Sequence, residues 1–335
     1  MRICLLTTQD LDANPFPADD WPCDPRPFLP DATWHVATLK KATSVDQVTR
    51  LVEEGDFDLF FNLCDGAADQ DIPGIEVVQT LERLGVPFTG ATSDFYEPPR
   101  EVMKQACYSQ GIDTPAYVLA RDERDVEQAA ETLRFPLFVK HYSSYSSVSL
   151  SRASCVKSPA GLRRQARKMM SRHGAALIEE YIEGIECTVL VAENPYDPER
   201  PTTYTPMQYR FPPGEHFKHS KMKWVDYAKM VSLPVTDPVL EARLRDVSAR
   251  FFVALKGASF GRCDLRVDPN GTPFMLEINA NCGVYYPPAD AGSADLCLAQ
   301  DPAGHAGFTR QLVEAALRRH ARTRNGAVTN TDSIV

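Results

Sequence analysis

The sequence lacks three features that would each point to a different class of protein. It contains no run of about 18 apolar residues, so we expect no membrane-spanning segment. Its 36 basic side chains are outnumbered by 45 acidic ones, and a net charge of -9 argues against a general nucleic-acid binder. Its nine cysteines form no CxxC pair, which indicates reduced thiols in a cytoplasm. A nucleotide remains open as a ligand, because a local basic cluster is enough to bind one.

Short apolar runs alternate with helix-like stretches in the first third of the chain. Strand and helix patterns in alternation predict a small parallel sheet with helices on its faces. The prolines of Glu97-Pro98-Pro99 indicate where this unit ends. We therefore predict an α/β fold with mixed α+β elements, in which an N-terminal Rossmann-like domain spans residues 1–97. No GxGxxG motif follows the first strand, which argues against a Rossmann oxidoreductase.

The most informative segment is a predicted hairpin that covers residues 261–280. Asn270-Gly271 favours a two-residue turn, since both positions of such a turn require positive φ. With that turn, Asp264 lies opposite Glu277 on one face of the hairpin, and a second polar pair joins them. The predicted pairs are Asp264 with Glu277 and Arg262 with Asn279 on the polar face, and Cys263 with Ile278, Leu265 with Leu276 and Val267 with Phe274 on the apolar face.

The polar face of this hairpin predicts a metal site. Two directly opposed carboxylates are about 5 Å apart at Cβ and repel unless a cation lies between them. Oxygen ligands suit Mg²⁺, and Asn279 adds a neutral oxygen to Asp264 and Glu277. Arg262 would bind an anion beside the metal. The alternative is an opposed acid pair on a solvated sheet face with no function.

The hairpin resembles the metal site of ATP-grasp ligases, specifically the D-alanine–D-alanine ligase-like group. The shared pattern is Arg-x-Asp, then thirteen residues from Asp264 to Glu277, then Glu-x-Asn. Two other segments match in order: residues 138–140 resemble the strand whose lysine binds the phosphates, and residues 178–186 resemble the hinge strand beside the adenine. The resemblance covers residues 57 to 288.

This resemblance implies an ATP-grasp fold and its ligands. We expect a central ATP-grasp subdomain with a Ser-rich phosphate loop at residues 98–184 and a C-terminal subdomain with the metal site at residues 185–322. Residues 323–335 would form a disordered tail. The expected cofactors are ATP and one or two Mg²⁺ ions, with Mn²⁺ as an alternative.

The resemblance also implies nucleotide contacts. Lys104 would reach the nucleotide, and Lys140 would bind its phosphates. Glu179 would accept a hydrogen bond from the adenine amino group, while Glu186 would hold the ribose hydroxyls. The further nucleotide contacts implied are those of Ser146, Ser147, Tyr181, Ile182, Lys223 and Leu276.

Three residues are predicted to be catalytic. Arg262 would stabilise an oxyanion, Ser146 belongs to the phosphate loop, and Lys223 resembles the loop lysine that meets the γ-phosphate. Lys221 is the alternative for that last role, because it lies in the same basic stretch.

The amino-acid pockets depart from the family pattern. The His-Gly segment is replaced by Asn62-Leu-Cys-Asp-Gly66, and the two tyrosines that follow Gly283 occupy the neighbourhood of the second substrate. The expected substrate-contacting residues are Asp65, Gly283, Tyr285 and Tyr286. Alternation along an extended segment would aim only one tyrosine at the cleft; the alternative is that both are core residues.

We therefore expect an ATP-dependent carboxylate–amine ligase that joins two amino acids, or an amino acid and an amine, through an acyl phosphate. A specialised dipeptide or natural-product amide ligase fits the altered pockets best. The alternatives are a D-alanine–D-alanine ligase of peptidoglycan synthesis and a non-catalytic ATP-binding protein. The expected partners are small amino-acid substrates, with no nucleic acid and no membrane, and a homodimer is left open.

Overall fold

The computed structural model describes residues 1–13, 22–67, 70–143, 150–219, 222 and 229–331. In this part of the chain, thirteen strands form three sheets, and eight α-helices pack against them. The strands are β1 (Arg2–Thr7), β2 (Thr33–Thr38), β3 (Leu59–Asn62), β4 (Tyr117–Ala120), β5 (Leu137–His141), β6 (Cys155–Val156), β7 (Ala176–Glu180), β8 (Ile185–Ala192), β9 (Thr202–Thr203), β10 (Met207–Arg210), β11 (Val231–Pro234), β12 (Phe260–Val267) and β13 (Pro273–Ala280). The helices are α1 (Ser44–Glu54), α2 (Ile75–Leu84), α3 (Arg100–Ser109), α4 (Glu123–Thr132), α5 (Pro159–His173), α6 (Pro238–Ala254), α7 (Ser293–Ala299) and α8 (Gly304–Thr331).

The first sheet is parallel and has the strand order β2-β1-β3. Alternate residues of β1 enter two separate apolar clusters: Cys4 and Leu6 pack in one, and Ile3 and Leu5 in the other. The central strand is apolar throughout because both of its faces are covered. The predicted mixed α/β class with an N-terminal parallel sheet is confirmed.

The second sheet is antiparallel and has the order β4-β7-β5-β6. Helices α4 and α5 cover one face, where residues such as Val126, Leu162 and Ile178 form a small separate core. The other face carries Lys140 and Glu179 on neighbouring strands, Lys140 opposite Leu177 and Glu179 opposite Phe138. This sheet therefore has one apolar face and one polar face.

The third sheet joins β11-β10-β8-β12-β13 in antiparallel order, and β9 pairs with β8. Helix α6 packs on its apolar face, where Phe251 and Phe252 share a cluster with Cys263 and Leu265. Arg262 and Asp264 alternate with these residues along β12 and therefore project to the opposite face. The polar faces of the second and third sheets border one cleft.

The hairpin of β12 and β13 differs from its prediction in the turn and beyond Asp264. The strands end at Val267 and resume at Pro273, so the connection has five residues, and within it only Gly271 has positive φ. The Asp268 carboxylate organises this longer loop by accepting from the backbone N–H of Asn270 at 2.9 Å and of Thr272 at 2.8 Å.

A register shift follows Asp264, so the predicted pairs of Leu265 with Leu276 and of Val267 with Phe274 are wrong. Leu265 lies opposite Met275, and Val267 lies opposite Pro273. The irregularity lets Met275 and Ile278 both enter the core while Leu276 turns to the cleft face.

The chain's final helix, α8, continues past the predicted boundary near residue 322 and reaches Thr331. The disordered tail proposed for residues 323–335 stays a prediction. Among the described residues, no helix combines the length and the apolar composition needed to cross a membrane.

Candidate active site

A cavity of about 430 Å³ lies between the polar faces of the second and third sheets. Most of the predicted site residues that the structure describes line it. They are Asp65, Lys140, Glu179, Tyr181, Ile182, Glu186, Arg262, Asp264, Leu276, Glu277, Asn279, Gly283 and Tyr286. Lys104 and Tyr285 do not belong to this lining. Ser146, Ser147, Lys221 and Lys223 lie outside the described residues.

The floor of the cleft is the polar face of β12 and β13. As predicted, Asp264 lies opposite Glu277 and Arg262 opposite Asn279. Asp264 accepts hydrogen bonds from Arg262 at 3.0 and 2.8 Å and from the Asn279 amide at 3.0 Å. Thr188, its neighbour on β8, donates a further bond at 2.9 Å. Burial alone would raise the pKa of Asp264, but the Arg262 charge and these bonds outweigh it and lower the pKa to about 2.

Glu277 is held by an arginine that the sequence analysis missed. Arg100, at the start of α3, forms an ion pair with the Glu277 carboxylate. Burial opposes the ionisation of Glu277, but the charges of Arg100 and Lys140 outweigh it and lower the pKa of this carboxyl. Each of the two opposed carboxylates thus has its own arginine. No spacing within the hairpin could reveal Arg100, because tertiary packing of α3 brings it there.

The second sheet contributes a buried charge cluster centred on Glu179. Its two carboxylate oxygens each contact a lysine at 2.6 Å, Lys104 on one side and Lys140 on the other. Glu179 and Lys104 are both only 2% exposed. Burial opposes ionisation of Glu179, but the two lysine charges prevail and lower its pKa to about 2. Glu179 is therefore the counter-ion of two lysines, with each of its oxygens at ion-pair distance from one of them.

An aromatic slot borders these charges. The rings of Phe138 and Tyr181 stack at 6.1 Å between centroids, and Phe217 meets Phe138 edge to face at 4.9 Å. The Tyr181 hydroxyl donates to the carbonyl of His216 at 2.9 Å, which ties the slot to the segment after β10. Together with Leu276, these side chains give the cleft a flat apolar region of the kind that accepts a planar ring.

Two further basic residues that the sequence analysis did not select line the cleft. Arg266 donates to the carbonyl of Ile182 at 2.5 Å and approaches Glu186 at 3.3 Å. Lys218 approaches Glu186 at 3.7 Å, and its Nζ lies 3.1 Å from the centroid of the Tyr209 ring. Burial alone would lower the pKa of Lys218, but Tyr209, Glu186 and Asp264 raise it. Lys218 lies in the basic stretch that contains Lys221 and Lys223. The basic composition of that stretch was the only sequence signal that could have identified Lys218 as a site residue.

The far wall of the cleft is formed by the chain that follows Asn279. Tyr286 is part of the cleft lining. Its hydroxyl oxygen lies so close to Gly283 that a Cβ atom added there would be only 2.3 Å from it. Tyr285 points away: it is 3% exposed, and its hydroxyl contacts Thr309 at 3.0 Å. Asp65 also lines this end.

Comparison with known proteins gives one consistent result. The family model described as "D-ala D-ala ligase C-terminus" matches residues 107–286. The chain is 30% identical over 259 residues to the D-alanine–D-alanine ligase of Nitratidesulfovibrio vulgaris, with 76% of this chain and 78% of that protein covered. It is also 30% identical over 273 residues to the uncharacterized protein y4sG of Sinorhizobium fredii, with 78% and 75% covered.

A solved structure shares the whole fold. The D-alanine–D-alanine ligase from Bacillus anthracis complexed with ATP superposes with a TM-score of 0.67 at 19% identity, covering 96% of this chain and 99% of that one. At this level of identity the likeness concerns the fold, which is that of the ATP-grasp enzymes, as expected from the sequence.

The Glu179 cluster generates a prediction about stability. Glu179→Gln should lower the free energy of unfolding by about 3–5 kcal/mol at neutral pH, because it leaves two buried lysines without their counter-ion. The folded pKa of Glu179, about 2, lies below its ordinary 4.5, so its contribution is complete above pH 4.5 and is lost as pH falls towards 2. Urea unfolding at pH 7 and at stepwise lower pH should show the gap to wild type shrinking on acidification.

The neighbouring Glu180 provides the matched control. It pairs with Arg134 at 2.7 Å, but the Arg134 side chain is 86% exposed. Glu180→Gln should therefore cost less than about 1 kcal/mol. Equal losses in the two variants would contradict the assignment of Glu179 as a buried counter-ion.

Proposed function

The chain belongs to the D-alanine–D-alanine ligase family of ATP-grasp enzymes, ATP-dependent ligases that form a C–N bond, and from this we propose that it ligates amino acids other than two D-alanines. The donor amino acid supplies a carboxylate, and the acceptor supplies an amine. ATP is consumed as a substrate and leaves as ADP and phosphate. A specialised dipeptide or amide product fits the residues of the acceptor end best.

The observation that carries the proposal is the set of four polar residues on one face of the β12–β13 hairpin. Arg262, Asp264, Glu277 and Asn279 lie together on the cleft floor. The charge of Lys140 on the other sheet acts on Glu277. A protein that only bound ATP would need the lysines and the aromatic slot. The additional carboxylates and Arg262 are what phosphoryl transfer requires, and they support an enzyme.

Mg²⁺, which the family uses together with ATP, is compatible with this floor. Asp264 and Glu277 are opposed oxygen donors with lowered pKa values, so both are ionised at neutral pH. Among the described residues, no group of three or more His, Cys, Asp or Glu side chains could hold a metal ion, so phosphate oxygens and water would complete the coordination. Asp264, Glu277 and the Asn279 amide oxygen would hold the ion, which would neutralise phosphate charge when bound.

The chain's own residues would position the reactants. Lys140 and Lys218 would neutralise phosphate oxygens, and the aromatic slot beside Tyr181 would take the base. ATP supplies a γ-phosphoryl group that activates the donor carboxylate as an acyl phosphate. The acceptor nitrogen then forms the new bond to the acyl carbon and loses a proton, and phosphate leaves. Arg262 has an orientation fixed by Asp264 and would stabilise the oxyanion of that second step.

Tyr286 supports a choice of acceptor other than D-alanine. Its ring spans the neighbourhood of Gly283 and Gly292, where an added Cβ would meet ring atoms at 3.0 Å or less. A large ring with one hydroxyl would contact a longer or more polar acceptor than alanine. We propose that the acceptor is larger than D-alanine or has the L configuration.

The metal assignment is tested by Asp264→Asn. This substitution removes a charged ligand from the cleft floor and should lower kcat of ligation by about a hundredfold or more. Asp268→Asn, on the exposed loop of the same hairpin, is the matched control and should retain wild-type turnover. ADP release coupled to amide formation measures both, and wild-type turnover of Asp264→Asn would refute the metal site.

The substrate assignment is tested by a screen of amino-acid pairs for ADP release, with mass analysis of the products. The wild type should use a larger or L-configured acceptor faster than it joins two D-alanines. Tyr286→Ala should change this acceptor profile with little effect on the KM for ATP. Tyr285→Phe, which removes only a hydroxyl from the core, should leave the profile unchanged. Fastest synthesis of D-alanyl-D-alanine by the wild type would refute the proposed acceptor.

A further inference from the structure

One buried carboxylate holds both ends of the chain segment that carries Tyr286. We call residues 285–292 the wall segment, since several of them, Tyr286 included, line the cleft. The Asp295 carboxylate, on α7, accepts from the backbone N–H of Tyr285 at 2.7 Å and from that of Gly292 at 3.0 Å. Asp295 is 2% exposed. The single side chain of Asp295 thus bridges the two ends of the wall segment and holds it as a loop.

These two bonds hold the backbone N–H groups at the two ends of the wall segment, whereas the carbonyls of Tyr285, Pro287 and Gly292 accept other backbone bonds. Pro287 and Pro288 carry no N–H, so no β ladder can run through them. Tyr285 has a φ of 72°, a backbone conformation that residues other than glycine rarely adopt. Contacts with neighbouring residues must stabilise it. The hydrogen bond from the Tyr285 N–H to Asp295 is one such contact.

A histidine behind Asp295 completes the arrangement. His305 on α8 contacts the same carboxylate oxygen that holds Tyr285, at 2.8 Å through Nε2. The ring of Phe28 stacks on His305 at 4.8 Å and 21°, and the Tyr285 hydroxyl contacts Thr309 one turn along the helix. His305 therefore fixes the carboxylate, and the carboxylate fixes the wall segment.

Tyr286 follows the anchored residue directly. The Tyr286 ring lies against Gly283 and Gly292. A Cβ atom added at Gly292 would lie 3.4 Å from Oδ2 of Asp295, so the carboxylate is close to the same glycine. A shift of Tyr285 or Gly292 would therefore move the ring across the cleft. The geometry points to Asp295 and His305 as positioning residues that determine which acceptor is ligated, by holding Tyr286 in the wall of the cleft.

This inference rests on the proposed function, since it assigns the acceptor to the Tyr286 end of the cleft. Hydrogen exchange can test the structural part without any substrate. In Asp295→Asn the amide retains one acceptor oxygen, so at least one of the Tyr285 and Gly292 N–H groups loses its bond. A peptide that covers the wall segment should exchange faster in this variant than in the wild type, whereas the strands of the third sheet should not.

Kinetics test the functional part. With the best acceptor of the screen and D-alanine as the small reference, Asp295→Asn should change the ratio of kcat/KM values by about tenfold or more, with an unchanged KM for ATP. His305→Leu should behave in the same way. His305→Gln, whose amide can still donate to Asp295, should restore the wild-type ratio.

Glu193→Gln separates positioning from general stability. Glu193 is also buried, accepts from the Ser259 backbone and pairs with Arg322 at 3.0 Å, but it does not line the cleft. This variant should melt at a lower temperature and keep the acceptor ratio.

An unchanged acceptor ratio in Asp295→Asn, with a lower melting temperature like that of Glu193→Gln, would overturn the inference and leave the ligase activity intact. A wild-type enzyme that releases no ADP with any amine would overturn the proposed function, and the acceptor role with it, whatever the exchange data show.

Discussion

The site depends on the pairing of three cleft carboxylates, Asp264, Glu277 and Glu179, with cations held at fixed distances. Asp264 is held by Arg262, Glu277 by Arg100, and Glu179 by two lysines. Buried charges of this kind cost free energy unless each is compensated. Helix α3, which carries Arg100 and Lys104, must therefore pack where it reaches both the third and the second sheet. The charge of Lys140 on the second sheet also lowers the pKa of Glu277 on the third, so this attraction couples the two sheets. The cleft is thus preorganised for the charge of a nucleotide.

Much of this site could be predicted from the sequence, because its central element is local. Pairing across one hairpin is enough to bring Arg262, Asp264, Glu277 and Asn279 to one face, and the structure has that register. The prediction failed where a local rule was overridden. The Asp268 side chain stabilises a five-residue loop, and the register shift beside Leu265 carries no sequence signal of its own.

The parts that could not be predicted come from tertiary packing. Arg100 is brought to Glu277 by helix α3, and Arg266 reaches the carbonyl of Ile182 across the hinge. Alternation along an extended segment predicted that only one of the two adjacent tyrosines faces the cleft, and Tyr286 lines it while Tyr285 does not. It could not say which, because the choice depends on the positive φ of Tyr285 and on Asp295. The end of the cleft that carries Tyr286 is therefore built from tertiary contacts of its chain segment.

The central claim, ligation through an activated carboxylate, is tested most directly by following the carboxylate oxygen. The donor amino acid is supplied with oxygen-18 in both carboxylate positions, and the released phosphate is analysed by mass spectrometry. An acyl phosphate breaks between the acyl carbon and the bridging oxygen, so one labelled oxygen should appear in phosphate for every amide bond formed. Phosphate that carries no label while the amide product accumulates would contradict the account.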